Sequence, residues 1–365
     1  MSLINALNDR QKEGRLRALK PKEIGIDFYS NDYLGMARNT LFQDRLVNII
    51  NNNPRILLGA TGSRLISGNS KITETVETYI ANIHGVERAL VFSSGYSANL
   101  ALYSSILKRT DTVILDELVH RSVIDGCRLG LGTTWKFKHN NLEHLEHLLK
   151  KSKGAIYVGV ESIYSMDGDF ASLKEIAILC KRYKANLIVD EAHAFAVYGI
   201  GIVDELGIQD MVFATVITYG KAMGLHGAAI LGSNIMINYL INYASTFIYT
   251  TAMPDFHALS IQEGYEFIAN NTQLKDELFT NIKLYKSLIT SCNTSNSAIQ
   301  PFIISELEAR NELINSLKES GILCYAISSP TVAKGSERLR VCLHSFNTKE
   351  EIQLLSTIIN NCVYE

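Results

Sequence analysis

The chain has 365 residues, 47% of them hydrophobic, and its 35 basic and 37 acidic residues leave a formal charge of −2. That length allows a large buried core and more than one domain. The near-neutral balance excludes a global field for nucleic acid or an anionic membrane, and no apolar stretch approaches the roughly 18 residues of a membrane span. Six cysteines, at 127, 180, 292, 324, 342 and 362, show no CxxC spacing and read as reduced thiols of a cytoplasmic protein.

In chain order, residues 3–19 set Leu3, Ile4, Leu7, Leu16 and Leu19 among many charges and predict a polar, arm-like helix. Residues 28–35 read as a short strand and turn. From residue 85 the rhythm is strand then helix. Strands are predicted at 89–92, 112–115, 155–160, 187–189 and 212–217, with helices near 97–108, 121–130, 141–151 and 173–184, and one further strand at 228–232. Strands that are apolar throughout belong in a sheet covered on both faces, and the alternation predicts a mostly parallel sheet. A long helical stretch begins after 255. Apolar runs at 299–304, 322–327 and 338–343 then alternate with helices near 305–319 and 348–361. The expected division is an N-terminal helix and arm (1–45), a large α/β domain (46–255) and a small α+β domain (256–365) packed with the N-terminal segment.

Open parallel sheets bind ligands beyond the C-terminal ends of their strands, and polar residues gather at those ends here. Ser94, Gly95 and Tyr96 follow one strand and open a helix. Glycine there lets backbone approach a ligand, and free amides favour phosphate; plain capping also suits such a turn. His120 follows the next strand, either as a ring to stack on a planar cofactor or as a hydrogen-bonded loop residue. Ser162 lies in the segment 161–169, whose end also reads as a simple turn. Asp190 ends a wholly apolar strand, where a carboxylate needs a partner or caps the next helix, and His193 follows it. Lys221 lies beyond another apolar run, with Thr218 before it and the small-residue loop 222–229 after it. An amine for an aldehyde and a carboxylate for a pyridine nitrogen are the needs of pyridoxal 5′-phosphate (PLP). Each motif alone admits a structural reading, but five in one order, each at a strand end, point to that cofactor. No GxxxxGK[ST] loop and no carboxylates at metal-ligand spacing are present, so no metal is expected.

The motif set resembles the α-oxoamine synthase family of PLP-dependent acyltransferases, from Asn31-Asp32-Tyr33-Leu34-Gly35 through 62–68, 94–96, His120, 165–169, 190–193 and 218–221 to Pro330-Thr331-Val332 and 338–340. The resemblance implies a fold-type I enzyme, working as a homodimer with active sites at the subunit interface. It implies that Lys221 holds the cofactor as an imine and later moves protons. His120 stacks on the ring, Asp190 holds the ring nitrogen, and His193 and Ser162 contact the phenolic oxygen. Ser94, Gly95, Tyr96 and Thr218 surround the phosphate, with Thr250 and Thr251 reaching it from the partner subunit. Asn31 and Arg340 hold the amino-acid carboxylate, and Arg17 lies near the acyl chain. The implied reaction is decarboxylative condensation of an amino acid with an acyl-CoA or acyl-carrier-protein thioester. The loop 220–224 and Gly227-Ala228-Ala229 most resemble the branch that joins L-alanine to a pimeloyl thioester in biotin synthesis. Alternatives are a glycine C-acetyltransferase, a serine palmitoyltransferase-like synthase and, more distantly, a fold-type I aminotransferase or lyase. Two departures stand out. The run Ala194-Phe195-Ala196-Val197-Tyr198 stands in place of a glycine-containing one, and the bulk of Phe195 is expected to narrow the site. Arg121 puts a charge beside His120.

Overall fold

The runs that are apolar on every residue become the interior of one sheet. The computed structural model describes residues 2–12, 16–19, 21, 23–290, 294–329 and 331–362; Cys292 and Pro330 lie outside them. The strands are β1 (Ile26–Asp27), β2 (Arg88–Phe92), β3 (Thr112–Asp116), β4 (Thr133–Phe137), β5 (Ile156–Glu161), β6 (Asn186–Asp190), β7 (Ala214–Thr218), β8 (Ala228–Gly232), β9 (Ile299–Ile303), β10 (Ile322–Leu323), β11 (Tyr325–Ile327) and β12 (Arg338–Cys342). Seven form the main sheet in the order β2-β8-β7-β6-β5-β3-β4. Strands β4, β3, β5, β6 and β7 run parallel, while β8 is antiparallel to both β7 and β2.

Side-chain alternation divides this sheet into two faces. On one, Val113, Leu115, Ile188 and Val216 pack with Ala98, Ala101 and Leu102 of the helix Gly95–Ile106. On the other, Ile114, Val158, Val160, Leu187 and Val189 pack with Leu145 and Leu149 of Leu142–Lys151 and with Ile176 and Cys180 of Leu173–Arg182. Covering both faces explains why these strands read as unbroken apolar runs.

The start and end of the chain meet. Strand β1 pairs in parallel with β10, and β9, β12 and β11 form a three-stranded antiparallel sheet beside it. The Asp27 carboxylate accepts the amides of Tyr29 and Ser30 at 3.1 and 3.0 Å and pairs with Arg38 at 2.8 Å. The amide of Cys342 reaches the Phe28 carbonyl at 2.8 Å. Residues 28–35 are therefore held as a turn against β12, and the strand precedes them rather than starting at Phe28.

Three other expectations change. The N-terminal helix covers Leu3–Lys12; residues 13–15 lie outside the described part, and 16–19 have no regular structure. Strand β4, Thr-Thr-Trp-Lys-Phe, is an edge strand with mostly exposed side chains and lacks the apolar run that marks the others. Phe195 turns away from the cleft into the core, its ring 5.2 Å from Tyr265, 5.7 Å from Tyr219 and 5.9 Å from His84. Its bulk fills the interior and does not narrow the site. The adjoining Ala196 adopts φ = 70°, a left-handed conformation that costs a non-glycine residue about 1–2 kcal/mol. Ala196→Gly is expected to stabilise the fold by about 0.5–1 kcal/mol, since glycine relieves that strain but loses more freedom on folding. A rise in the denaturant midpoint at unchanged slope checks it.

Candidate active site

Strands β5 and β6 end in register, with Glu161 beside Asp190, and Asp190 is paired in turn with Val216 of β7. Both carboxyl groups project to the face covered by Gly95–Ile106. Asp190 is buried; it accepts Asn99 Nδ2 at 2.7 Å and the Ala192 amide at 2.9 Å. Both donors are neutral, so the carboxylate is solvated without a directly bonded cation. Burial, and then the neighbouring Asp190, push Glu161 up to about 8, so it keeps its proton at neutral pH. Its Oε1 accepts the amide of His120 at 2.5 Å. His120 caps the helix Arg121–Leu129, and its Nδ1 lies 2.7 Å from Ser122 Oγ, which also takes Asn99 Nδ2 at 3.0 Å. One network thus orients the histidine ring and the aspartate together.

From the end of β7 the chain reaches Lys221, whose Nζ lies 2.9 Å from His193 Nε2. His193 Nδ1 is 2.8 Å from Tyr33 Oη, and Tyr33 donates to Asn31 Oδ1 at 3.0 Å. Arg340 donates to the same oxygen at 3.1 Å and to the Ser165 carbonyl at 2.6 Å. Desolvation pulls the Lys221 amine down to about 8, against the opposing pull of the Asp190 carboxylate. Burial, helped by Lys221, Arg340 and His120, holds His193 well below its ordinary value, so its ring is neutral.

At the helix start, Ser94 caps with its Oγ accepting the Ser97 amide at 3.1 Å, and Ser97 completes a capping box. The first amides of the helix, those of Gly95 and Tyr96, remain to meet a ligand. Thr218 lines the same place, and a Cβ on Gly95 would come 3.6 Å from it. Arg121 pairs with Asp125 at 2.8 Å, and Tyr96 Oη donates to the same carboxylate at 2.8 Å. The charge beside His120 is therefore balanced locally.

The structure thus brings together Asn31, Gly95, His120, Asp190, His193, Thr218, Lys221 and Arg340. It places Ser162 elsewhere. One residue beyond Glu161, its side chain falls on the opposite face, fully buried beside Glu191 and without a well-formed hydrogen bond. Ser165, whose carbonyl anchors Arg340, is the serine of this segment that borders the cluster. Thr250 and Thr251 are exposed and line a cavity with Arg64 and Ser93, and Arg17 is exposed outside the cluster. Tyr33, Asn99 and Glu161 belong to the site, although their sequence context assigns them no role. The signal was available for Asn99, a polar residue among Ala98, Ala101 and Leu102 on a helix face, and for Glu161, a second carboxylate ending an apolar strand.

A buried carboxylate with only neutral donors, a desolvated amine, an imidazole ring and two free amides at a helix start fit the ring nitrogen, aldehyde, ring face and phosphate of PLP. The sheet and this donor set define a PLP-dependent transferase of fold-type I. The aminotransferase class I and II family matches residues 23–359. The 8-amino-7-oxononanoate synthase of Emericella nidulans is 35% identical over 363 residues, covering 91% of this chain and 88% of its own. That of Lysinibacillus sphaericus is 36% identical, covering 90% and 86%. The solved structure of the Francisella tularensis 8-amino-7-oxononanoate synthase matches with a TM-score of 0.79 at 28% identity, over 93% of this chain and 98% of its own. The Sphingomonas wittichii serine palmitoyltransferase, at 23% identity and a TM-score of 0.88 over 100% and 98%, shares the fold. The chain belongs to the aminotransferase class I and II family and, within it, to the α-oxoamine synthases.

The neutral amine is the form that attacks an aldehyde. The rate at which the cofactor-free chain captures PLP should rise with pH and level off above about 8. Asp190→Asn removes an anion that holds the Lys221 proton, so the midpoint should move to lower pH while PLP binds more weakly. Stopped-flow absorbance across pH reads both effects.

Proposed function

We propose that this chain condenses L-alanine with a pimeloyl thioester, carried on CoA or an acyl-carrier protein, to give 8-amino-7-oxononanoate, CO2 and free thiol. The carbon count supports the pair. The product has nine carbons with its amino group beside a ketone. A seven-carbon acyl group supplies C1–C7, and alanine less its carboxyl carbon supplies C8, C9 and nitrogen. The observation that carries the reading is the continuous link from Arg340 through Asn31, Tyr33 and His193 to Lys221, which joins a carboxylate binder to an amine base.

Arg340 presents its guanidinium to the amino-acid carboxylate, where a planar fork suits two oxygens. Its orientation is fixed by Ser165 and Asn31. The Lys221 amine, made less basic by desolvation, removes the Cα proton. Asp190 would hold the ring nitrogen of PLP protonated, Gly95, Tyr96 and Thr218 would hold its phosphate, and His120 would cover its ring. When bound, PLP draws the electrons released at Cα into its ring, which makes that carbon a nucleophile toward the thioester.

We infer in addition a homodimer acting in the cytoplasm, with Thr250 and Thr251 completing the phosphate site of the second subunit and Arg17 near the acyl chain. The exposure of Tyr249, Thr250 and Thr251 supports this arrangement. No helix among the described residues is long and apolar enough to cross a membrane.

Alanine, glycine and serine offered in turn with pimeloyl, acetyl and palmitoyl thioesters test the substrate assignment. Alanine with the pimeloyl donor is expected to give the highest kcat/KM; a preference for glycine or serine overturns it. Arg340→Ala is expected to raise KM for the amino acid about 10- to 100-fold, the worth of hydrogen bonds to a charged group, with a smaller change in KM for the thioester. Steady-state kinetics in each substrate separates the two.

A further inference from the structure

The hydroxyl of Tyr33 touches neither the ring-nitrogen carboxylate nor the phosphate site, yet it sits between the two functional ends of the cluster. Arg340 sets the polarity of its hydrogen bonds. A guanidinium only donates, so the Asn31 atom 3.1 Å from it is the amide oxygen. That oxygen takes the single phenolic proton of Tyr33 at 3.0 Å. Tyr33 Oη is then an acceptor toward His193 Nδ1, 2.8 Å away. Nδ1 therefore carries the imidazole proton, and Nε2 turns a lone pair to Lys221 Nζ at 2.9 Å.

We propose that Tyr33 is a positioning residue: by fixing the Nδ1–H form of His193, it makes an N–H of Lys221 point at the histidine and leaves the amine lone pair directed into the cleft. The opposite tautomer would place an Nε2–H on that lone pair and mask it. The effect operates whenever the Lys221 amine is free, both before the cofactor is captured and after an amino acid has displaced the lysine. It rests on the reading of Lys221 as imine former and base. Tyr33 is suited to the task. It is 1% exposed, its ring stacks 6.5 Å from His344, and burial raises its hydroxyl so that the proton stays in place. The ionisable groups facing His193 are Lys221, His120 and Arg340 besides Tyr33 itself, so among these neighbours no carboxylate competes for Nδ1–H.

The test uses the full-length chain freed of cofactor, as the natural protein and as Tyr33→Phe, which keeps the ring and removes the hydroxyl. Capture of PLP is followed by visible absorbance, and the His193 ring nitrogens are read by 15N NMR, assigned through loss of the signal in His193→Gln. The natural chain should show Nδ1–H. Tyr33→Phe should populate Nε2–H and capture PLP about 10- to 100-fold more slowly, the scale of effect when a group orienting a functional histidine is removed. Both changes together support the proposal. Either without the other, neither of them, or an Nε2–H form in the natural chain overturns it. If Tyr33→Phe does not fold, the tautomer of the natural chain decides. A natural chain that shows Nδ1–H but never captures the aldehyde refutes the proposed function and leaves the tautomer assignment standing.

Discussion

Two carboxyl groups end adjacent parallel strands side by side, on one face and out of water, and much of the site follows from that constraint. A pair of like charges so placed is unfavourable, and here Glu161 yields by keeping its proton. A neutral Glu161 accepts the His120 amide and so helps set where that ring lies. Asp190 is left with Asn99 and the Ala192 amide, donors that hold it in place without neutralising it. A buried carboxylate in this condition favours a cationic partner, and a protonated pyridine supplies one. The desolvated Lys221 amine completes the arrangement, kept from falling further in basicity by the Asp190 carboxylate.

The strand interiors and most of the site were legible in the sequence because burial on both faces leaves an unmistakable apolar run. Asp190, His193 and Lys221 stand out as polar residues where such runs stop. Where the fold does not use that device, the sequence was less readable. Strand β4 lies at an edge with Thr133 and Thr134 exposed, and so resembles a loop. The β1–β10 pairing contributes only two residues per strand, too few to show a period. Arg340 was readable by motif, and Tyr33 lies within the motif 31–35, but the contact of its hydroxyl to His193, 160 residues away, was not readable.

Ser162 shows how a single position decides a role. At the end of a strand, successive side chains go to opposite faces, so one step along the chain carries Glu161 to the Asp190 face and Ser162 to Glu191. A motif read as a string does not carry this parity; the register of β5 against β6 does. Phe195 makes the related point for the residues after β6. In sequence it is two positions from His193, yet it joins His84, Tyr219 and Tyr265 in the interior while the histidine faces the cleft. The replacement of a glycine-containing run here is therefore a matter of packing and backbone strain.

The bond between Asn31 and Arg340 closes a loop of 309 residues. Parallel pairing of β1 with β10 and the link from Cys342 to Phe28 make the same closure in the backbone. Contacts of such sequence separation form late, because the chain entropy lost in closing the loop must be met before the contacts return it. During synthesis, Lys221 emerges from the ribosome well before Arg340 does. The nascent polypeptide thus has its reactive amine before the segment that confers selectivity, and an amino-acid-reading pocket arises only when the last tenth of the chain has been added.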